Sequence, residues 1–130
     1  RYLSHHEVSY QDELHFLIDE HSGNRRFRLR PDLVIRKGAK TLVVDMKWKW
    51  IEPKAPNYGI DQGDLYQLYA YGRKYKADAL FLIYPAHEDF QAPLLPFRFE
   101  EQLVLQVIPF NINHPLSSEI KKIGDYLETC

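Results

Sequence analysis

The chain has 130 residues, 45% of them hydrophobic and 27% charged, enough apolar material for a single-domain core and the wrong balance for a disordered segment. A formal net charge of −1 excludes a globally basic surface, so any contact with nucleic acid has to come from a local patch or another subunit. Cys130 is the only cysteine, which excludes an internal disulfide framework and fits a cytoplasmic setting, and no apolar run approaches the ~20 residues that cross a bilayer, so no membrane partner is expected.

Taken in order, the residues from His5 to Tyr10 and from Leu14 to Ile18 predict two strands, paired as a hairpin or lying as consecutive edge strands. The cluster Asp19 to Arg25 predicts a turn. Phe27 and Leu29 alternate with arginines into Pro31, a residue suited to a strand edge or bulge because it lacks an N–H. Arg25, Arg26, Arg28, Arg30, Arg36 and Lys37 make this the densest basic stretch, either a phosphate-binding edge or a solvated strand face.

The next stretch organises the reading. Arg30 to Arg36 and Thr41 to Lys49 flank a polar Lys37-Gly38-Ala39-Lys40 turn and predict a β-hairpin with a four-residue loop containing Gly38. Strand alternation puts Leu42, Val44, Met46 and Trp48 on one, core-facing side, with Val43, Asp45, Lys47 and Lys49 on the other. Ile51 to Gly59 reads as a loop. Asp61 is the predicted N-cap of the main helix, which runs to about Tyr75 with Asp64 favoured in its first turn by the helix dipole. Leu65, Leu68, Tyr69 and Gly72 form its apolar face, and Asp64, Gln67 and Tyr71 project together beside it. Ala79 to Tyr84, a continuous apolar run after a helix, predicts a buried parallel strand. Pro85 to Pro96 reads as a loop, Leu103 to Phe110 as a further strand, and Ser117 or Ser118 to Leu127 as a closing helix. The fold class is therefore α/β, a mixed central sheet flanked by helices.

The hairpin can bring Asp32, just ahead of its first strand, close to Asp45 near the end of its second. Two carboxylates about 4 Å apart raise each other's proton affinity unless they share a cation. Mg²⁺ suits such a site, because it takes hard oxygen ligands, keeps several waters and needs few protein contacts; Mn²⁺ is the natural substitute. Asp32 and Asp45 would supply side-chain oxygens and Met46 its backbone carbonyl. Lys47 emerges on the same face as Asp45, where it can steer or deprotonate a water, or offset charge in a phosphoryl transition state. Any acid-x-Lys triplet alone is as well read as a solvated strand end. Lys49 and Arg30 are secondary candidates for touching substrate phosphate, Trp48 reads as core, and Trp50 is free to stack on a base. The six histidines show no metal-ligand spacing.

Pro31-Asp32 followed by Asp45-Met46-Lys47 resembles the PD-(D/E)xK nuclease superfamily, and Gln67-x-x-x-Tyr71 resembles a motif that some of its branches carry on the following helix. The closer resemblance is to the McrC family, nuclease subunits of the McrBC methylcytosine-dependent restriction system. It rests on Arg30 to Ile35, Val44 to Lys49 and Asp64 to Gly72, within about half of the chain. The resemblance implies a restriction-endonuclease-like core and an Mg²⁺-dependent endonuclease of double-stranded DNA, working with a GTP-hydrolysing AAA+ subunit of the McrB type. It implies Asp32 and Asp45 as metal ligands, Lys47 as the catalytic lysine, and Gln67 and Tyr71 as residues that orient the substrate backbone or the active-site water. Because the chain opens on Arg1, and no helix with an acidic residue precedes the first strand, residues 1–130 are expected to be a nuclease domain from a longer chain. Two other readings share the fold: a non-catalytic module binding DNA or a partner, and a stand-alone repair or junction nuclease.

Overall fold

The computed structural model describes residues 7–10, 13, 15–100, 103–111, 113, 115, 118 and 121. Strands β1 (Glu7–Tyr10), β2 (Phe16–His21), β3 (Asn24–Arg28), β4 (Leu33–Lys37) and β5 (Lys40–Met46) precede helix α1 (Gln62–Tyr75); β6 (Ala79–Pro85), β7 (Phe97–Arg98) and β8 (Val104–Phe110) follow it. Six strands form a mixed sheet in the order β1-β4-β5-β6-β8-β7, and among the described residues β2 pairs with β3 in a separate ribbon. The two predicted N-terminal strands therefore do not pair with each other: β1 joins the sheet edge beside β4. The turn expected over Asp19 to Arg25 shrinks to Ser22-Gly23, because β2 continues through polar residues that carry no burial signal.

β4 and β5 pair antiparallel in the expected hairpin, with Leu33 opposite Val44 and Lys37 opposite Lys40. That last pair leaves only Gly38 and Ala39 as the loop, two residues rather than four. Gly38 takes φ 58° at the first central position, where a two-residue hairpin turn calls for a positive φ.

β5, α1 and β6 make a β-α-β crossover, and β6 lies parallel to both β5 and β8, as its unbroken apolar run predicts. Every residue of β6 is buried. α1 begins on Asp61, whose carboxylate accepts the Gly63 N–H at 2.7 Å, and ends on Lys76 in the left-handed region. Leu68, Tyr71 and Tyr75 of α1 pack on Val34, Val43, Leu80 and Leu82. A Cβ on Gly72 would stand 3.1 Å from side-chain atoms of both Leu80 and Leu103, so the helix rests on the sheet at this glycine. The opposite sheet face carries a second core of Leu33, Ile35, Leu42, Val44, Phe81 and Ile83.

Both faces of β5 are thus buried, where the sequence pattern suggested one. Trp48 is not core: it lies past the strand end, 69% exposed, with its ring edge-on to Phe110. β7 and the 3-10 turn at Pro56–Gly59 were not expected from the pattern. The closing helix predicted from Ser117 or Ser118 falls largely outside the described residues. No helix among the described residues is long and apolar enough to cross a membrane.

Candidate active site

The hairpin register places Asp32 next to Asp45, and the two are tied through the backbone. The Asp32 N–H donates to Asp45 Oδ1 at 3.3 Å, while Asp32 Oδ2 accepts the Met46 N–H at 2.8 Å. Each carboxylate so satisfies an amide that would otherwise be orphaned where the ladder ends. Asp45 is the one buried charged side chain among the described residues, at 6% exposure. Burial pushes its carboxyl up to about 6; the Lys47 ammonium works against that, and the neighbouring Asp32 charge adds to it.

Lys47 follows β5 directly. Its own N–H still donates to the Ile83 carbonyl at 2.8 Å, so the backbone keeps its course beside β6 for one residue more. Its ammonium lies 2.9 Å from Asp45 Oδ2, 3.1 Å from Gln67 Oε1 and 3.4 Å from Asp64 Oδ1. Burial alone would lower the Lys47 pKa, but the hydrogen bond and charge of Asp45, with the charge of Asp64, hold it above the usual lysine value. Three acceptors match the three N–H donors of an ammonium, so the group here is a cation.

Asp32, Asp45, Lys47 and Gln67, expected to act together from positions far apart in sequence, do converge. Met46 lies between Asp45 and Lys47. Tyr71 stands behind the site: it is 4% exposed and belongs to the core under α1. Burial raises its phenol pKa first, then the Asp45 charge, while the Lys47 charge and then a hydrogen bond with the Arg30 backbone counter them. Lys49 is more exposed, 3.6 Å from Asp61 Oδ2 and 3.9 Å from Asp64 Oδ2. Arg30 turns to Glu13, which it meets through Nε in a short ion pair.

Asp64 is the residue that sequence reasoning left out of the site. Its place in the first turn of α1 had a sufficient explanation in the helix dipole. The signal available was its spacing, three residues before Gln67 on one helix face. Asp64 Oδ2 and the Tyr84 hydroxyl are the buried side-chain polar atoms without a hydrogen-bond partner among the described residues. They are neighbours electrostatically, since the Tyr84 phenol pKa is raised by burial and then by the charges of Asp64, Asp61 and Asp45.

Two adjacent carboxylates, one of them desolvated and holding its proton up to about pH 6, fit a small divalent cation with hard oxygen preferences. No group of three or more His, Cys, Asp or Glu side chains that could hold a metal ion occurs among the described residues, so Asp32 and Asp45 are the carboxylates that could share one here.

Residues 1–85 match the model of a family described as McrBC 5-methylcytosine restriction system component. A comparison with curated proteins finds no match. Among solved structures, the chain is similar to one in the refined half-complex from a tetradecameric assembly of Thermococcus gammatolerans McrB AAA+ hexamers with bound McrC, with a TM-score of 0.67 and 16% identity. The superposition covers 97% of this chain and 30% of that one, so this chain spans less than a third of that chain's length.

Proposed function

The chain belongs to the McrBC 5-methylcytosine restriction system component family, and from that premise we propose that it is the DNA-cleaving domain of such a system, hydrolysing phosphodiester bonds with Mg²⁺. The observation that supports this best is the Lys47 ammonium joining Asp45 at the end of β5 to Gln67 on α1, at 2.9 and 3.1 Å. A solvated strand end has no reason to gather a buried carboxylate, a lysine and a helix amide at one point.

Asp32 and Asp45 would hold the cation, with the Met46 carbonyl as a further oxygen. When bound, such an ion polarises a phosphoryl oxygen and makes water a better nucleophile. The chain's own groups do the rest. Lys47 presents the N–H that points at Asp45 in the metal-free site toward the phosphate, where negative charge grows in the transition state. Gln67 fixes Lys47 through Oε1 and turns its amide toward the DNA backbone or the attacking water. Tyr71, from within the core, sets the position of α1 beneath Gln67. Lys49, and Arg30 if released from Glu13, can meet flanking phosphates.

The similar solved chain comes from an assembly of McrB AAA+ hexamers with bound McrC; by analogy, a GTP-hydrolysing AAA+ subunit would bring this domain to its DNA. The test is cleavage of methylated double-stranded DNA by the full-length subunit with that partner, GTP and Mg²⁺. The wild type should cut and chelation should stop it. Cleavage that persists in EDTA, or in an Asp32→Asn/Asp45→Asn double variant, would remove the metal-dependent reading.

A further inference from the structure

We infer that Asp64 is a positioning residue for Lys47, holding its ammonium in place when Asp45 is shared with a divalent cation. The inference rests on the nuclease reading above and names a part of that site beyond the Asp-x-Lys and Gln-x-x-x-Tyr patterns.

An acid in the first turn of a helix ordinarily sits in water and complements the dipole. Asp64 does not. Its side chain is about one-fifth exposed, Oδ2 is buried without a hydrogen bond and has only the Lys49 ammonium at 3.9 Å, and Oδ1 is 3.4 Å from Lys47. The helix has a side-chain cap without it, because Asp61 accepts the Gly63 N–H. Leaving a desolvated carboxylate oxygen without a donor is unfavourable, so the placement calls for a purpose other than helix stability.

Counting donors supplies one. Lys47 has three N–H groups, taken by Asp45, Gln67 and Asp64. Two of the three acceptors lie on α1, one helical turn apart, and the third is a proposed metal ligand. A carboxylate committed to a divalent cation has less charge to offer an ammonium. Asp64 and Gln67 then keep Lys47 on the same axis, and the N–H that pointed at Asp45 is released toward the phosphate. Without Asp64, Lys47 would be held by one neutral amide oxygen and could swing to solvent beside Lys49.

The experiment uses the full-length subunit with Mn²⁺ as the probe and reads acylation of the Lys47 amine by mass spectrometry. In wild type, Lys47 should label slowly with and without Mn²⁺. In Asp64→Asn it should label several-fold faster, chiefly when Mn²⁺ is present, and Asp64→Glu should restore protection. Mn²⁺ affinity should stay within about twofold in both variants. Single-turnover cleavage by Asp64→Asn should fall by about 10²-fold, as for a misplaced catalytic group, and adding Asp64→Asn to Lys47→Met should slow it no further. Unchanged Lys47 labelling in an Asp64→Asn protein that folds and binds Mn²⁺ would overturn the inference, and so would loss of Mn²⁺ binding, which would make Asp64 a ligand. Failure of the nuclease reading shows itself differently, as wild-type protein that neither binds Mn²⁺ nor cleaves, and it takes this inference with it.

Discussion

Asp32 and Asp45 hold each other through main-chain amides: the Asp32 N–H meets Asp45 Oδ1 at 3.3 Å, and the Met46 N–H meets Asp32 Oδ2 at 2.8 Å. The pair is therefore placed by hairpin register, not by flexible side-chain reach. Two acids fixed side by side at a strand end raise the free energy of the fold, and a bound cation would relieve it. The predictions start there.

Asp45→Asn should stabilise the metal-free protein at neutral pH. The folded-state pKa of Asp45 is raised from 3.8 to about 6, mainly by burial. The protonated form is the one the fold favours, so its contribution is fully present below about pH 4 and lost as pH rises through 6. The wild-type melting temperature should fall across that window relative to Asp45→Asn, with the variant ahead by about 1–3 kcal/mol at pH 7. Loss of the Lys47 contact works against this gain. Parallel pH profiles of the two proteins without metal would show that the burial penalty is not there.

Mn²⁺ should reverse the order. It should raise the melting temperature of wild type and leave Asp45→Asn and Asp32→Asn nearly unmoved, with calorimetry giving heat for wild type only. Mg²⁺ should bind weakly without DNA, because it gives up its waters reluctantly. Equal heats from wild type and Asp45→Asn would remove the metal site.

How much of this was legible beforehand differs from residue to residue. The alternation through Leu42, Val43, Val44 and Asp45 gave the faces of β5 correctly, since regular pairing on both sides preserves the period of two. The same alternation carried to Trp48 failed, because the strand ends at Met46 and the period ends with it. Val43 was read as lying on a polar face because acids and lysines share it; the α1 crossover covers that residue, which strand pattern alone does not report. The Asp61 cap and the apolar run of β6 are local signals, and the structure carries both. The β2–β3 ribbon is exposed along nearly all its length, so burial left no pattern by which to delimit it. Asp64 was visible as a residue and invisible as a site member, because one explanation already sufficed for it.

The isolated domain should bind DNA poorly and without regard to cytosine methylation. Net charge is −1, and several basic groups nearest the site already have acidic partners: Arg28 and Arg30 with Glu13, Lys49 with Asp61 and Asp64. Few phosphates can be neutralised, so log K against log salt should be shallow, at about −0.9 per phosphate contacted. Nanomolar binding selective for methylated DNA by this domain alone would show that recognition resides here and not in a partner.

Gly72→Val should cost about 1–3 kcal/mol through overpacking. Its side chain would have to displace Leu80 and Leu103, each 3.1 Å from an added Cβ. Raising α1 off the sheet also moves Gln67 and Asp64 away from Lys47, so cleavage should fall more than the loss of folded protein explains. A variant with wild-type melting and wild-type cleavage would mean that the close approach does not position the site.

The central claim is that the Lys47 ammonium acts on the phosphate or the water during hydrolysis. Lys47→Met removes it while keeping the aliphatic stem, and Lys40→Ala, at the far end of the hairpin, is the charge-matched control. The measurement is single-turnover cleavage of methylated DNA by the full-length subunit with its AAA+ partner, at saturating enzyme in Mg²⁺, with DNA binding and melting followed alongside. The account predicts a rate about 10²–10³-fold lower for Lys47→Met, DNA binding nearly intact, and Lys40→Ala indistinguishable from wild type. Cleavage by folded Lys47→Met at the wild-type rate would contradict it.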